Sequence, residues 1–236
     1  MTTGRSIHDG DFYSPIRPAN LFLFQQRSRA MLRMMAANSL LPVSGKRILD
    51  VGCGGGQQLV DFEGWGARRS DLAGIDVDES RVQRAQARLT CAASTGRSGA
   101  DIRCGDASRL PWPDAAFDLV HQSVVFTSIP VDATKQAVAG EMLRVLKPGG
   151  AVIWYDFLYN NPRNPSVRAV GAREIRALFP NCAVTLKRIT LAPPIARTVA
   201  PRLWLAAMLL EEMVLANTHY LGIIRKTGVD VSDADT

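Results

Sequence analysis

Three scarcities narrow what this chain can be. Cysteine occurs four times in 236 residues, at Cys53, Cys91, Cys104 and Cys182, with no CxxC pair among them. That spacing supplies neither the paired ligands of a structural zinc nor a disulfide framework, and a reduced cytoplasm is the simplest home. Histidine occurs three times, at His8, His121 and His219, so candidates for an imidazole base are few. Long apolar runs are missing: the uninterrupted stretch Leu203–Leu210 stops at Glu211 and Glu212, far short of the ~20 residues that cross a bilayer. Stable membrane insertion is therefore not expected. The opening MTTGRSIHDGDFYS has no apolar core of a secretory signal. The formal net charge is +6, but the arginines are scattered and no basic run interleaves with aromatics, which reads as solvated surface and not as a nucleic-acid footprint.

What is present begins at Ile48–Leu59, ILDVGCGGGQQL. An apolar run carrying Asp50 passes into Gly52, Gly54, Gly55 and Gly56, then into residues that can start a helix. Glycine lets a ligand approach the turn's backbone amides closely, and a helix start offers unpaired N–H donors with a positive dipole, so an anionic group is favoured. On the glycines alone a structural turn or a dinucleotide site would serve equally well. Asp50 separates them, because a carboxylate two residues before the first glycine opposes a pyrophosphate and suits a zwitterion.

With its acidic residue and glycines, this stretch resembles the first motif of the class I S-adenosylmethionine-dependent methyltransferases, hh(D/E)hGxGxG with h apolar. Further motifs follow in that family's order. A second apolar run ends on Asp76 in DLAGIDVD, a third on Asp106 in DIRCGDA, and RLPWPDAAFDLVHQSVVF matches the pattern LPFxDxxFDxV through Leu110, Pro111, Trp112, Asp114, Phe117 and Asp118. The run EMLRVLKPGG at Glu141–Gly150 completes the set. The resemblance is to the small-molecule branch of type 11 and ubiquinone-biosynthesis enzymes. It implies S-adenosyl-L-methionine as cofactor, S-adenosyl-L-homocysteine as product, and a small metabolite as methyl acceptor at O, N or C. Cofactor contacts are implied at Asp50, Gly52, Gly54 and Gly56 for the methionine end, Asp76 for the ribose, Val77 against the adenine, and Asp106 with Ala107 at its polar edge. Gln122 at the end of the fourth strand and Tyr13 in the N-terminal segment are further candidates. Asp78, just before a helix, reads as an N-cap.

The elements alternate. Strands are expected near 46–52, 71–76, 100–105, 117–124 and 149–157 with helices near 56–63, 79–92 and 132–146, then a strand near 183–191 and a last one over His219–Lys226, antiparallel at the sheet edge. The fold class is α/β: a Rossmann-like, seven-stranded, mostly parallel sheet with helices on both faces. Residues 1–44 are expected as a helical cap, 45–230 as the methyltransferase domain and 231–236 as a flexible tail. Ile195–Ala216 is expected as one extra apolar helix, covering the sheet, roofing a substrate pocket or lying at a membrane interface.

Ligands of such sheets lie beyond the strands' carboxyl ends. An SN2 transfer from a sulfonium mostly needs alignment, with a base only if the acceptor must lose a proton. His121, Tyr155 and Asp156 are the catalytic candidates, and Asn160, Asn161, Arg163 and Asn164 candidates for polar groups of the acceptor. No metal site is expected, and the oligomeric state stays open. A nucleic-acid or protein methyltransferase is the alternative, disfavoured because HQSVVF follows strand four where an NPPY-like motif would stand. A noncatalytic cofactor-binding protein would have no use for every one of Asp50, Asp76 and Asp106.

Overall fold

The computed structural model describes residues 14, 16–89, 99–160 and 167–227. By contact these fall into two compact units, one within Met1–Met34 and Arg188–His219, the other within Met35–Lys187 and Tyr220–Thr236. The elements in chain order are α1 (Pro18–Ala37), β1 (Ile48–Val51), α2 (Gln57–Gly64), β2 (Leu72–Asp76), α3 (Glu79–Leu89), β3 (Asp101–Cys104), β4 (Phe117–Ser123), α4 (Asp132–Val145), β5 (Leu146–Phe157), α5 (Ala172–Leu178), β6 (Cys182–Leu191), α6 (Pro193–Val199), α7 (Trp204–Glu211) and β7 (Asn217–Lys226).

The seven strands form one sheet in the order β3-β2-β1-β4-β5-β7-β6. Four pairings are parallel, β2 with β3, β1 with β2, β1 with β4 and β4 with β5. Alternation along the strands sorts side chains to two faces. Leu49, Val51, Ile75, Val120, Val152 and Trp154 share one buried core with Val138, Ala139 and Met142 of α4 and Ile175 of α5. The intervening Asp50 and His121 point the other way, where the His121 ring meets Phe62 of α2 at 5.8 Å. Helices thus cover both faces.

The motif LPWPDAAFD owes its residues to the scaffold. Arg144 of α4 donates to the carbonyls of Leu110 and Trp112 and to the carboxylates of Asp114 and Glu141, while Glu141 accepts from the amide of Leu110 at 2.7 Å. Asp118 accepts from the Arg47 amide and from Lys147 Nζ. Leu110, Trp112 and Phe117 are buried in the core.

Two expectations change. The last strand is not at the edge: β7 lies between β5 and β6, and Gly222 is so tightly held there that a Cβ would press on Leu186, the Thr185 carbonyl and Trp154. The single helix over Ile195–Ala216 is two short helices followed by a 3₁₀ turn at Val214–Ala216. The interruption falls at Pro201, which has no N–H to give to an α-helical carbonyl, and both Arg202 and Leu203 donate back to Val199 instead. Residues 231–236 lie outside the described residues.

Within the first unit, Phe22 of α1 meets Trp204 of α7 edge-on at 5.1 Å, and both belong to a cluster with Leu191, Ala196, Ala200 and Ala207. Gln26 accepts from the buried Leu191 amide at 2.9 Å. Among the described residues, no helix is long and apolar enough to cross a membrane.

Candidate active site

The carboxyl ends of β1, β2 and β4 meet the turn after β3 around a cavity of about 390 Å³. The glycine turn reaches it through Gly52. Gly52 has φ +69°, and a Cβ there would run into Val125 Cγ2, so residue 52 must be glycine both for its backbone and for its neighbour. The amides of Gly52 and Cys53 donate to the Ile75 carbonyl at 2.8 and 2.9 Å. Gly56 has φ +79° and sits against Ala85 and Leu89 of α3, which lets α2 start close beside α3.

Asp76 closes this arrangement. One carboxylate oxygen accepts from Gly54 N at 2.9 Å and the other from Asp78 N at 3.0 Å. The side chain is buried yet lines the cavity, and each oxygen keeps a lone pair for a further donor. Asp78 does cap α3: its carboxylate accepts from Ser80 and from the Arg81 amide, and these hydrogen bonds hold it below the usual carboxylate range. The Cys53 thiol is pushed far up by burial and by the charges of Asp50 and Asp76, so it stays protonated and is no nucleophile.

The predicted residues separate into two groups. Gly52, Asp76, Val77, Asp106 and Ala107 all line the one cavity. Asp106 accepts from Ser108 N at 2.8 Å, which fixes the turn after β3. Asp50, His121, Gln122, Tyr155, Asp156, Gly54 and Gly56 do not line it. Asp50 and His121 are register partners on adjacent strands, joined at 2.7 Å and buried behind the turn. With His121 Nδ1 engaged by Asp50, its Nε2 is buried with no hydrogen-bond partner among the described residues.

Gln122, Tyr155 and Asp156 work on the segment that follows β4. Val124 stands at φ +60°, a conformation that crowds a β-branched side chain and survives only where its surroundings impose it. Here the imposition is visible. The Tyr155 carbonyl accepts from Val124 N at 2.8 Å and from Gln122 Nε2 at 3.3 Å, and Gln122 Oε1 accepts from Val125 N at 3.1 Å. Asp156 accepts from the amides of Phe126 and Thr127 with one oxygen, and from Thr127 Oγ1 and its neighbour Phe157 N with the other. Burial pushes the Asp156 carboxyl up to about 6 in spite of these donors.

The residues missed from the sequence are those this device positions. Val124 and Val125, together with Ile129, Pro130 and Val138, form an apolar wall of the cavity. For Val124 and Val125 the only signal was the apolar run VVF, which carries no motif, since a wall needs shape and not a particular functional group. Asn160 accepts from Ala169 N at 2.7 Å and shapes its loop. Tyr13, Asn161, Arg163 and Asn164 lie outside the described residues. Among the described residues, no three His, Cys, Asp or Glu side chains gather as a metal site requires.

A glycine turn, two carboxylates and an apolar wall thus meet at the rim of a sheet ordered 3-2-1-4-5-7-6. Residues 49–154 match a family described as "Methyltransferase domain". The likeness of this segment is to a methyltransferase domain. Over 155 residues, 66% of the chain, the protein is 34% identical to 24-methylenesterol C-methyltransferase 2 of Oryza sativa subsp. japonica, covering 39% of it. Over 152 residues, 63% of the chain, it is 30% identical to the ubiquinone biosynthesis O-methyltransferase of Thiobacillus denitrificans, covering 60% of that protein. The chain thus spans less than half the length of several curated relatives. The solved magnesium protoporphyrin IX methyltransferase of Synechocystis PCC 6803, with bound SAM, shares the fold at TM-score 0.58 and 14% identity, over 88% of this chain and 84% of that one. The matched segment runs from β1 into β5, so both carboxylates, the glycine turn and the wall after β4 lie inside it.

Proposed function

We propose that this protein transfers a methyl group from S-adenosyl-L-methionine to a small biosynthetic metabolite in the cytoplasm. The observation that carries the reading is the cavity itself: Gly52 of the glycine turn, Asp76 and Asp106 converge on one space of about 390 Å³, in the size range of small-molecule sites. Asp76 and Asp106 suit a ligand with hydroxyls and an amino group, while Arg81, also in the lining, is turned to Asp78 at 3.5 Å. Relatives named for acting on a sterol and in ubiquinone biosynthesis support a metabolite as acceptor over a nucleic acid or protein.

The fit divides along the cavity. Asp76, already oriented by two amides, accepts from the vicinal hydroxyls of a ribose; Val77 and Ala107 flank an adenine face, and Asp106 accepts from its amino group. The turn at Gly52–Gly56 faces the amino-acid end, with Asp50 supplying negative potential from behind. S-adenosyl-L-methionine, when bound, supplies an electrophilic sulfonium methyl, so the protein's contribution is alignment and exclusion of water. We assign His121, Tyr155 and Asp156 to positioning, because their side chains are buried off the cavity while they fix the glycine turn and the Val124–Val125 wall.

Calorimetric titration tests the reading. Micromolar-range binding of S-adenosyl-L-methionine and S-adenosyl-L-homocysteine is expected, with none of NADH. Binding of NADH alone would replace the methyltransferase reading with a dinucleotide one.

A further inference from the structure

We infer that the face formed by α7 and the residues after it docks on an anionic lipid bilayer. The sequence WLAAMLLE makes α7 apolar nearly all round, a composition that belongs in a core. Only one side reaches one: Ala207 is fully buried and Trp204 packs on Phe22. The other side presents Leu205 and Leu209, each 75% exposed, flanked by Leu203 and continued by Met213, Val214 and Leu215, the last 83% exposed. Leu205 and Leu209 are one helical turn apart, so they share a stripe. An exposed apolar row of this length marks a surface that meets something.

Charge decides the partner. The described residues of this unit, 14–34 and 188–219, hold seven arginines, no lysine and two glutamates. One of the two acids, Glu211, is engaged by Arg29 at 2.9 Å. Arg197 and Arg202 are exposed at the N-terminal approach to the leucine stripe. Cationic groups beside an apolar row complement a surface of acyl chains under anionic headgroups. A second copy of the chain would set arginines against arginines, and a nucleic acid offers nothing to the leucines. Eight helical residues span only ~12 Å, so the helix lies in the interface and does not cross the ~30 Å hydrocarbon layer. Docking of this kind is independent of the cofactor cavity and needs no cofactor.

The full chain is sedimented with phosphatidylcholine vesicles and with vesicles holding about 30 mol % phosphatidylglycerol. Several-fold stronger binding to the anionic vesicles is expected, falling as salt rises from about 50 to about 500 mM. Leu205→Ser with Leu209→Ser should lower binding about tenfold or more at unchanged melting temperature, since both side chains already face solvent. Arg197→Gln with Arg202→Gln should remove most of the preference for anionic lipid and leave weak binding to neutral vesicles. The inference is overturned if the folded chain binds neither vesicle, if the leucine variant binds as the parent does, or if light scattering shows a dimer that the leucine changes abolish while vesicle binding is absent.

Discussion

Asp76 joins the fold to the site, and replacing it should damage both by amounts the geometry sets. In Asp76→Asn one oxygen becomes an amide NH₂, which would face either the Gly54 or the Asp78 amide across a hydrogen-bond distance of 2.9 or 3.0 Å. One donor is then left buried without an acceptor, at about 1–3 kcal/mol, and the surviving bond loses its charge assistance, roughly half of the ~1.5–3 kcal/mol such bonds contribute. Together these destabilise by about 2–5 kcal/mol. For a chain of this size, with about 2–4 °C of Tm per kcal/mol, the ligand-free melting temperature should fall on the order of 10 °C. Cofactor affinity, titrated where both proteins are fully folded, should fall about ten- to a hundredfold, because the variant loses a charged acceptor for ribose hydroxyls and the glycine turn loses its anchor. The two readouts separate the roles. A normal ligand-free melting curve would refute the anchoring of Gly54, and a normal affinity in a destabilised variant would refute the ribose assignment.

Two further outcomes concern buried titrating groups. His219 is held near pKa 3 by burial and by Arg27, below the ~6.5 of an unfolded histidine, so the unfolded chain takes up its proton first; stability should fall by up to ~1.4 kcal/mol per pH unit below about pH 6.5, and His219→Gln should flatten that part of a denaturation series. Asp156 shifts the opposite way, from about 3.8 unfolded to about 6 folded, so its contribution should increase as pH falls through 6, by about 3 kcal/mol in all by pH 3.8, and chemical denaturation of Asp156→Asn should lack that increase. The same variant keeps one carbonyl oxygen, so either the Phe126 and Thr127 amides or the Phe157 amide loses its acceptor, and with any accepted substrate turnover should drop more than cofactor affinity.

Much of this protein is set locally. An apolar strand, a glycine that needs φ +69°, and a helix start dictate a ligand turn whatever surrounds them, and acids at strand ends, Asp76 and Asp106, reach the same rim because parallel strands deliver their ends to one side. These were legible because each depends on a few neighbouring residues and the period of the chain. Four features were not. Asp50 and His121 lie 71 positions apart and become partners only through strand register, and Asp156 reads as an exposed base until the fold encloses it among Phe126, Thr127 and Phe157. β7 takes its place between β5 and β6 because the sheet there can accept a strand with a bare Gly222, a fit invisible along one strand. Seven arginines from two stretches far apart in sequence, 14–34 and 188–219, come into the one unit that also bears the exposed leucines. Sequence fixes which backbone and side chains can serve a local task; only packing brings distant groups within range of one another's charge and decides which apolar side chains remain in water.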